Sequence, residues 1–255
     1  MNILSRLLKG IVFLAVAAAF LGFFSAPGPG ASSHTLAVSA FSREDSGKIP
    51  SGWKVLDFPK ISRHTDYRVA EVDGSFVLVA TSESSASAIY RDLDLDAAEY
   101  NTLSWRWKVD DVIKKGDARV KSGDDYAARV YVTFAYEPEK ASFLEKVKYG
   151  LARAIYKLPT PGNAVNYIWA NRLTKGTAIK NPYTEKAMML AVESGPEFKG
   201  VWKTEVRNVY DDYVKLFGEK PPRITGVAVM TDTDNTGSSA TAYYGDIFFR
   251  KSFQP

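Results

Sequence analysis

The sequence contains no cysteine and only two histidines among 255 residues. The absence of cysteine excludes disulfide scaffolds, zinc fingers, iron–sulfur clusters and thiol catalysis, and two histidines cannot supply a metal site of three imidazoles. The sequence also has no G-x-S-x-G nucleophile motif and no glycine-rich loop for a phosphate or a dinucleotide. Any chemistry in this chain therefore comes from Asp, Glu, Arg, Lys, Asn, Tyr, Trp or Ser.

The composition is that of a folded, sheet-rich protein. Hydrophobic residues make up 45% and charged residues 24%, which are ordinary values for a globular domain. Aromatic residues reach 13%, with 14 Phe, 14 Tyr and 5 Trp, and such residues favour β-strands. This composition excludes a disordered or collagen-like chain.

The first 31 residues have the pattern of an export signal. Arg6 and Lys9 precede an uncharged apolar run over residues 11–24, which is followed by Pro27 and Pro29. The run is shorter than the roughly 20 residues of a membrane-spanning helix, although a retained anchor is an alternative. Because the two prolines obscure the cleavage point, the signal could extend to about residue 40. Removal of residues 1–31 lowers the net charge from +4 to +2, and export of a nearly neutral domain argues against a nucleic-acid partner.

Most of the remaining chain alternates apolar and polar residues, which is typical of half-buried β-strands separated by turns. The pattern predicts a mainly β protein, with one antiparallel β-sandwich domain over residues 36–252. The predicted strands cover residues 35–41, 75–81, 87–93, 103–109, 127–134, 165–171, 187–193, 201–206, 224–230 and 241–249.

Two helical insertions are expected, because two segments have the 3.6-residue period of an amphipathic helix. The first covers residues 139–158, carries a net charge of +3 and ends before Pro159. Packing on a sheet is the favoured role of its apolar stripe, and contact with an anionic membrane surface is the alternative. The second covers Val209–Phe217, with Asn208 as its N-cap and Gly218 at its end.

Two of the predicted strands carry apolar residues on one face and cations with aromatics on the other. The strand over residues 103–109 places Arg106 and Lys108 opposite its apolar side, and the strand over residues 127–134 does the same with Arg129 and Tyr131. We expect these four side chains to form one concave face that binds a ligand.

The rim of this face is expected to include acidic residues. Asp124 and Asp125 run directly into the strand of Arg129. They either help to recognise a ligand or form a turn with a cross-strand ion pair. Glu205 and Arg207 share a strand face just before Asn208, and this group either orients a polar ligand or is held together internally.

Trp169 and Asn171 add an aromatic and an amide group of the kind that bind sugar rings. A tryptophan in a sandwich is more often part of the core. Both interpretations stay open at this point.

Residues 232–237 resemble the start of a calcium-binding loop. Asp232, Asp234 and the following Thr and Gly occupy positions 1, 3, 5 and 6 of that motif, and Asn235 lies between them. Position 12 is Tyr243 instead of the required Glu, so an EF-hand is not expected. The segment predicts either another calcium site with ligands from Asp232, Asp234 and Asn235, or a polar hairpin. No other cofactor is expected.

These segments also resemble the bacterial secreted family known as domain of unknown function 3047. The likeness spans about residues 36–250 and is carried by IPSGW at 49–53, LSWRWKV at 103–109, GDDYAARVYVTF at 123–134, NYIWAN at 166–171, EVRNVYDDY at 205–213 and VAVMTDTDNTGSSATAYYGDI at 227–247. The family implies no activity that can be transferred. The layout is also similar, more loosely, to galactose-binding-like jelly rolls, which implies a sugar or another polar ligand and identifies no catalytic residue.

The sequence therefore predicts an exported, non-catalytic protein that binds a polar ligand, with a carbohydrate of the envelope or the exterior as the favoured class. One alternative is a two-carboxylate hydrolase that uses Asp124 and Glu205 on the same face. Another is a structural or membrane-peripheral protein that uses residues 139–158. The oligomeric state stays open.

Overall fold

The computed structural model of the chain describes residues 34–139 and 162–251. These residues form thirteen β-strands and one α-helix, together with two short 3-10 turns. The strands are β1 (Thr35–Ser39), β2 (Lys54–Asp57), β3 (Asp66–Val72), β4 (Ser75–Glu83), β5 (Ala86–Leu95), β6 (Thr102–Val109), β7 (Arg129–Phe134), β8 (Ala164–Ala170), β9 (Ala178–Asn181), β10 (Thr184–Ser194), β11 (Lys203–Asn208), β12 (Ile224–Asp232) and β13 (Ser239–Arg250), and the helix is α1 (Val209–Phe217).

The strands form two sheets. The six-stranded sheet has the order β11-β6-β13-β4-β3, with β1 pairing on β13, and the seven-stranded sheet has the order β2-β5-β12-β7-β8-β10-β9. Every pair among these strands is antiparallel except β8 with β10, which run parallel. The prediction of a mainly β, sandwich-like fold is confirmed, but a purely antiparallel pairing is wrong, because β9 and the loop before it bring β10 back beside β8 in the same direction.

The core lies between the inner faces of the two sheets, and aromatic residues meet there. Trp107 of β6 packs against Trp169 of β8 with ring centroids 5.8 Å apart, and Trp105 lies 5.2 Å from Tyr167. All four side chains are buried. Such rings remove large apolar areas from water, so they stabilise the contact between the sheets in a chain without disulfides.

All ten predicted strands are present with shifted ends, and β2, β3 and β9 are strands that the sequence analysis missed. β2 and β9 are four residues long, and all three lie at the edges of their sheets. β2 and β9 are too short to show a clear alternation. β3 does alternate, with Tyr67 and Val69 buried between exposed polar residues, so the sequence did contain a pattern for this strand.

Helix α1 has the predicted bounds. The Asn208 side chain accepts a hydrogen bond from the backbone N–H of Asp211, and Gly218 ends the helix in the left-handed region at φ 77°. The other predicted helix, over residues 139–158, and the predicted export signal over residues 1–31 lie outside the described residues. The described residues therefore show one helix where two insertions were expected, and this helix is too short and too polar to cross a membrane.

Candidate functional site

The four side chains that were expected to form one concave face lie on two different faces of the sandwich. Arg106 and Lys108 alternate with the core residues of β6, so they point outward from the six-stranded sheet. Arg129 and Tyr131 alternate with the core residues of β7 and point outward from the seven-stranded sheet. The single shared face is therefore wrong, because β6 and β7 belong to opposite sheets.

Arg106 and Lys108 form part of a half-buried aromatic face, defined here as Trp202, Tyr243, Arg106, Lys108 and Asp73. The Trp202 and Tyr243 rings lie 6.4 Å apart at an interplanar angle of 61°. Lys108 Nζ lies 5.3 Å from the first ring and 4.6 Å from the second, within the range of cation–π attraction. This face presents ring surfaces, hydrogen-bonding groups and charge next to one another.

Asp73 anchors the aromatic face from a tight turn. Asp73 and Gly74 join β3 to β4 with φ values of 53° and 76°, the positive values that a two-residue hairpin turn requires. One carboxylate oxygen of Asp73 accepts hydrogen bonds from Lys108 Nζ at 2.7 Å and from Trp202 Nε1 at 2.9 Å. These two donors lower the pKa of Asp73. The turn thus holds an ionised carboxylate that fixes both a cation and a ring.

Arg106 lies flat on the six-stranded sheet. Its guanidinium carbon is 4.8 Å from the Trp202 ring, and one of its nitrogens donates to Ser75 Oγ at 3.2 Å. A Cβ at Gly245 would lie 2.4 Å from Arg106 Cγ, so only glycine leaves room for the arginine in this position. No carboxylate among the described residues forms an ion pair with Arg106. The arginine is therefore held in place while its charge is left uncompensated by a neighbour.

Arg129 has the opposite environment. Its side chain is 2% exposed, and its guanidinium lies 4.3 Å above the Tyr126 ring. Nε donates to Asp232 at 2.8 Å, one terminal nitrogen donates to Asp124 Oδ1 and Tyr131 Oη, and the other donates to Asp232 and to the Asp124 carbonyl oxygen. All five N–H groups of the guanidinium thus have acceptors. Arg129 and Asp124 are used within the protein, which makes them a poor means of recognising a ligand.

The predicted calcium ligands surround the same arginine. Asp125, Asp232 and Asp234 each have a carboxylate oxygen within 4.8 Å of the others. Burial raises the pKa of Asp232, and the charge of Arg129 opposes that shift. A cation would have to displace hydrogen bonds that already occupy both oxygens of Asp232.

Asp125 and Asn235 are also occupied. The two oxygens of Asp125 accept from the Asn235 and Thr236 backbone N–H groups and from the Asn235 amide. Asn235 Oδ1 accepts from Tyr183 Oη at 2.5 Å. The donors that already occupy Asp232, Asp125 and Asn235, together with the charge of Arg129, therefore argue against a calcium ion at this position.

Three other predicted site residues have structural contacts. Trp169 is buried in the core and donates from Nε1 to the Gly195 carbonyl oxygen at 3.1 Å. Asn171 joins two loops, because its amide donates to the Asp125 carbonyl oxygen at 2.7 Å and its oxygen accepts from the Ile113 backbone N–H at 2.8 Å. Asn208 caps α1.

Glu205 and Arg207 line a cleft of about 250 Å³ between β10, β11 and α1. Arg207 donates from Nε to Asp212 at 2.9 Å, and Tyr167 Oη donates to the same carboxylate oxygen at 2.9 Å. Glu205 is 8% exposed and accepts from Trp107 Nε1 at 3.3 Å. Glu205 and Asp124, the two carboxylates proposed for hydrolysis, share no hydrogen-bond or ion-pair partner among the described residues.

The sequence analysis missed Trp202, Tyr243 and Asp73 of the aromatic face, and Glu193 and Asp212 near the cleft. Trp202 Nε1 bonds to a residue 129 positions away, and that distance hides the pairing from any local pattern. The Asp-Gly pair at 73–74 was the one available signal, because it marks a tight hairpin.

A model of the family described as a protein of unknown function, DUF3047, matches residues 51–248. The chain belongs to this family. A comparison with curated proteins gives no match.

Several solved structures have a similar fold. One is the family 11 carbohydrate-binding module of the cellulosomal cellulase Lic26A-Cel5E of Clostridium thermocellum, with 8% identity, a TM-score of 0.41, and coverage of 83% of this chain and 97% of that one. Another is the family 30 module of the cellulase Cel9D-Cel44B of the same organism, with 11% identity, a TM-score of 0.40, and coverage of 86% and 99%. A third is the K1 cleaved adhesin domain of Lys-gingipain from Porphyromonas gingivalis, with 11% identity, a TM-score of 0.38, and coverage of 86% and 98%. These likenesses concern the fold and are too distant to bear on the ligand.

Proposed function

We propose that this protein is an exported, non-catalytic binding protein for a carbohydrate of the envelope or the exterior, and that the aromatic face of the six-stranded sheet binds it. The observation that carries this proposal is the pair of half-buried rings, Trp202 and Tyr243, flanked by the cations Arg106 and Lys108. An aromatic ring stacks on the C–H side of a sugar, and adjacent charged groups bond to its hydroxyls.

The state of Arg106 supports the same proposal. Lys108 is already paired with Asp73, but Arg106 has no carboxylate partner among the described residues, and Gly245 leaves space for it to lie beside Trp202. A guanidinium in this position can donate to sugar hydroxyls or to an acidic sugar substituent without losing an existing ion pair. The outer face of a sheet is an open surface that can bind an extended chain of sugars. We also propose that the strands of the two sheets follow a jelly-roll path.

The binding test begins with a glycan array and continues with calorimetry on the oligosaccharide that gives the strongest signal. We expect Trp202→Ala to weaken binding about tenfold or more, which corresponds to about 1.4 kcal/mol. Tyr183→Ala is the matched control, because Tyr183 is an exposed aromatic that also has a lysine, Lys121, 5.4 Å from its ring, but lies beside the seven-stranded sheet. Absence of binding to every glycan, or equal loss in the control, would refute the proposal.

Export is tested by cell fractionation of the full chain against a chain without residues 1–31. We expect the full chain outside the cytoplasm and the truncated chain within it, because a basic head and an apolar run direct secretion. Mass spectrometry of the exported product gives its first residue. A full-length product in the membrane fraction would indicate a retained anchor instead.

A further inference from the structure

The cleft beside Glu205 lies apart from the aromatic face. Its walls combine apolar side chains from β10 and α1 with charged groups from three elements. The cleft is lined by Lys175, Gly176, Ala178, Leu190, Ala191, Val192, Glu205, Val206, Arg207, Asp212, Lys215 and Leu216. A volume of about 250 Å³ is just below the roughly 300–1,000 Å³ of pockets for drug-sized ligands, so it suits a smaller molecule.

Most charged groups around this cleft are already paired. Lys175 Nζ lies 2.6 Å from Glu193, Lys203 Nζ lies 3.6 Å from the same carboxylate, and Arg207 is bonded to Asp212. Glu205 differs, since no lysine or arginine among the described residues forms an ion pair with it. Its Oε1 accepts a hydrogen bond from the indole N–H of Trp107 at 3.3 Å. The other oxygen of this carboxylate has no hydrogen-bond donor among the described residues, so it can accept a hydrogen bond from a molecule in the cleft.

The charged residues around the cleft determine which class of ligand can offer a hydrogen-bond donor to Glu205. A cationic ligand would be repelled by the lysines and the arginine that line the cleft, and an anionic ligand would be repelled by Glu205, Glu193 and Asp212. A neutral molecule with hydroxyl groups avoids both of these electrostatic repulsions. Leu190, Val192 and Leu216 offer apolar contact to the C–H groups of such a molecule.

We propose that this cleft binds a neutral, hydroxyl-rich molecule about the size of one hexose ring, with a ligand hydroxyl donating to the Glu205 carboxylate. This site is independent of the aromatic face, which is proposed to bind an extended sugar chain. Arg207 and Asp212 shape the wall of the cleft and hold each other in place.

Binding of this kind is coupled to a proton. Burial and the nearby Glu193 raise the pKa of Glu205 to about 7, while Lys175, the Trp107 indole and Lys203 act in the opposite direction. A hydroxyl that donates to the carboxylate favours its ionised form. The ionised fraction of a group with this pKa increases from about a tenth at pH 6 to about nine tenths at pH 8, so affinity should increase about tenfold across that interval.

The experiment is calorimetric titration of the full chain with glucose, galactose and mannose at pH 6 and pH 8, in buffers of different ionisation enthalpy. The expected result is that at least one hexose binds, more tightly at pH 8, with release of a proton. Glu205→Gln preserves the shape of the side chain and the acceptor for Trp107, and it should weaken binding and abolish its pH dependence. Glu197→Gln is the matched control, because it makes the same charge change at an exposed loop residue.

Three outcomes would overturn the proposal: no hexose binds at either pH, binding does not depend on pH, or Glu205→Gln keeps the pH dependence. Should the variant fold poorly, the carboxyl carbon of Glu205 in the unaltered chain can be followed by NMR, and its titration must shift to lower pH when the hexose is added. Trp202→Ala separates this proposal from the previous one, because it should leave hexose binding unchanged.

Discussion

Arg106 and Arg129 occupy equivalent places in their strands, each on the outer side of a sheet, yet their surroundings differ. Arg129 is buried beside Asp124 and beside Asp232 at the end of β12, and these two residues accept most of its hydrogen bonds. Arg106 lies on an outer face against one ring and one hydroxyl. An arginine on a strand therefore stabilises the fold where acidic residues enclose it, and is available to a ligand where they do not.

The largest expected effect is on Arg129. Arg129→Met leaves Asp232 and Asp124 buried without a cation, which typically costs about 3–5 kcal/mol. For a domain of this size that corresponds to a melting temperature lower by about 10 °C. Arg106→Met is the comparison, and we expect it to change stability by less than about 1 kcal/mol. Equal thermal shifts in the two variants would show that the two arginines do not differ in role.

A smaller effect is expected at Glu205, which is buried like Arg129 but lacks an ion pair. Its pKa of about 7 in the folded protein exceeds the ordinary value of 4.5, so the folded state retains a proton that the unfolded chain has lost. Stability should therefore decrease as pH increases from about 4.5 to about 7. Glu205→Gln removes this loss, and its melting temperature should exceed that of the unaltered chain by a few degrees at pH 8 and match it at pH 4. Parallel melting curves at both pH values would contradict this prediction.

Gly245→Ala tests the position of Arg106. The added Cβ would lie 2.4 Å from Arg106 Cγ, near the start of that side chain, so the whole arginine must change rotamer, and we expect a loss of about 1–2 kcal/mol. The displaced guanidinium should change the fluorescence of Trp202 and weaken glycan binding at the aromatic face. Unchanged Trp202 fluorescence and unchanged glycan affinity would show that the position of Arg106 beside Trp202 does not contribute to binding.

The smallest effect is expected from calcium. Because the oxygens of Asp232 and Asp125 already have donors, adding calcium or a chelator should shift the melting temperature by less than about 1 °C. A rise of several degrees with calcium would show that the ion competes with Arg129 for these carboxylates.

The alternation of residues was enough to predict the side of its strand on which each arginine lies, and it placed Trp105 and Trp107 in the core. It could not reveal that β6 and β7 belong to different sheets, because sheet membership depends on pairing between distant strands. Asp232 meets Arg129 across 103 residues, and no local spacing encodes that contact. The N-cap of α1 was predictable because Asn208 and Asp211 are close in sequence.

The end of β7 and the start of β8 are held together by backbone hydrogen bonds. Phe134 exchanges backbone hydrogen bonds of 2.9 Å with Asn163 and Gly162, so the two strand ends meet directly across the intervening stretch. This contact sets the alignment of β7 with β8, and lengthening the chain that links two fixed points adds little closure entropy. A change in the length of chain between residues 134 and 162 should therefore leave the pairing of these two strands as it is.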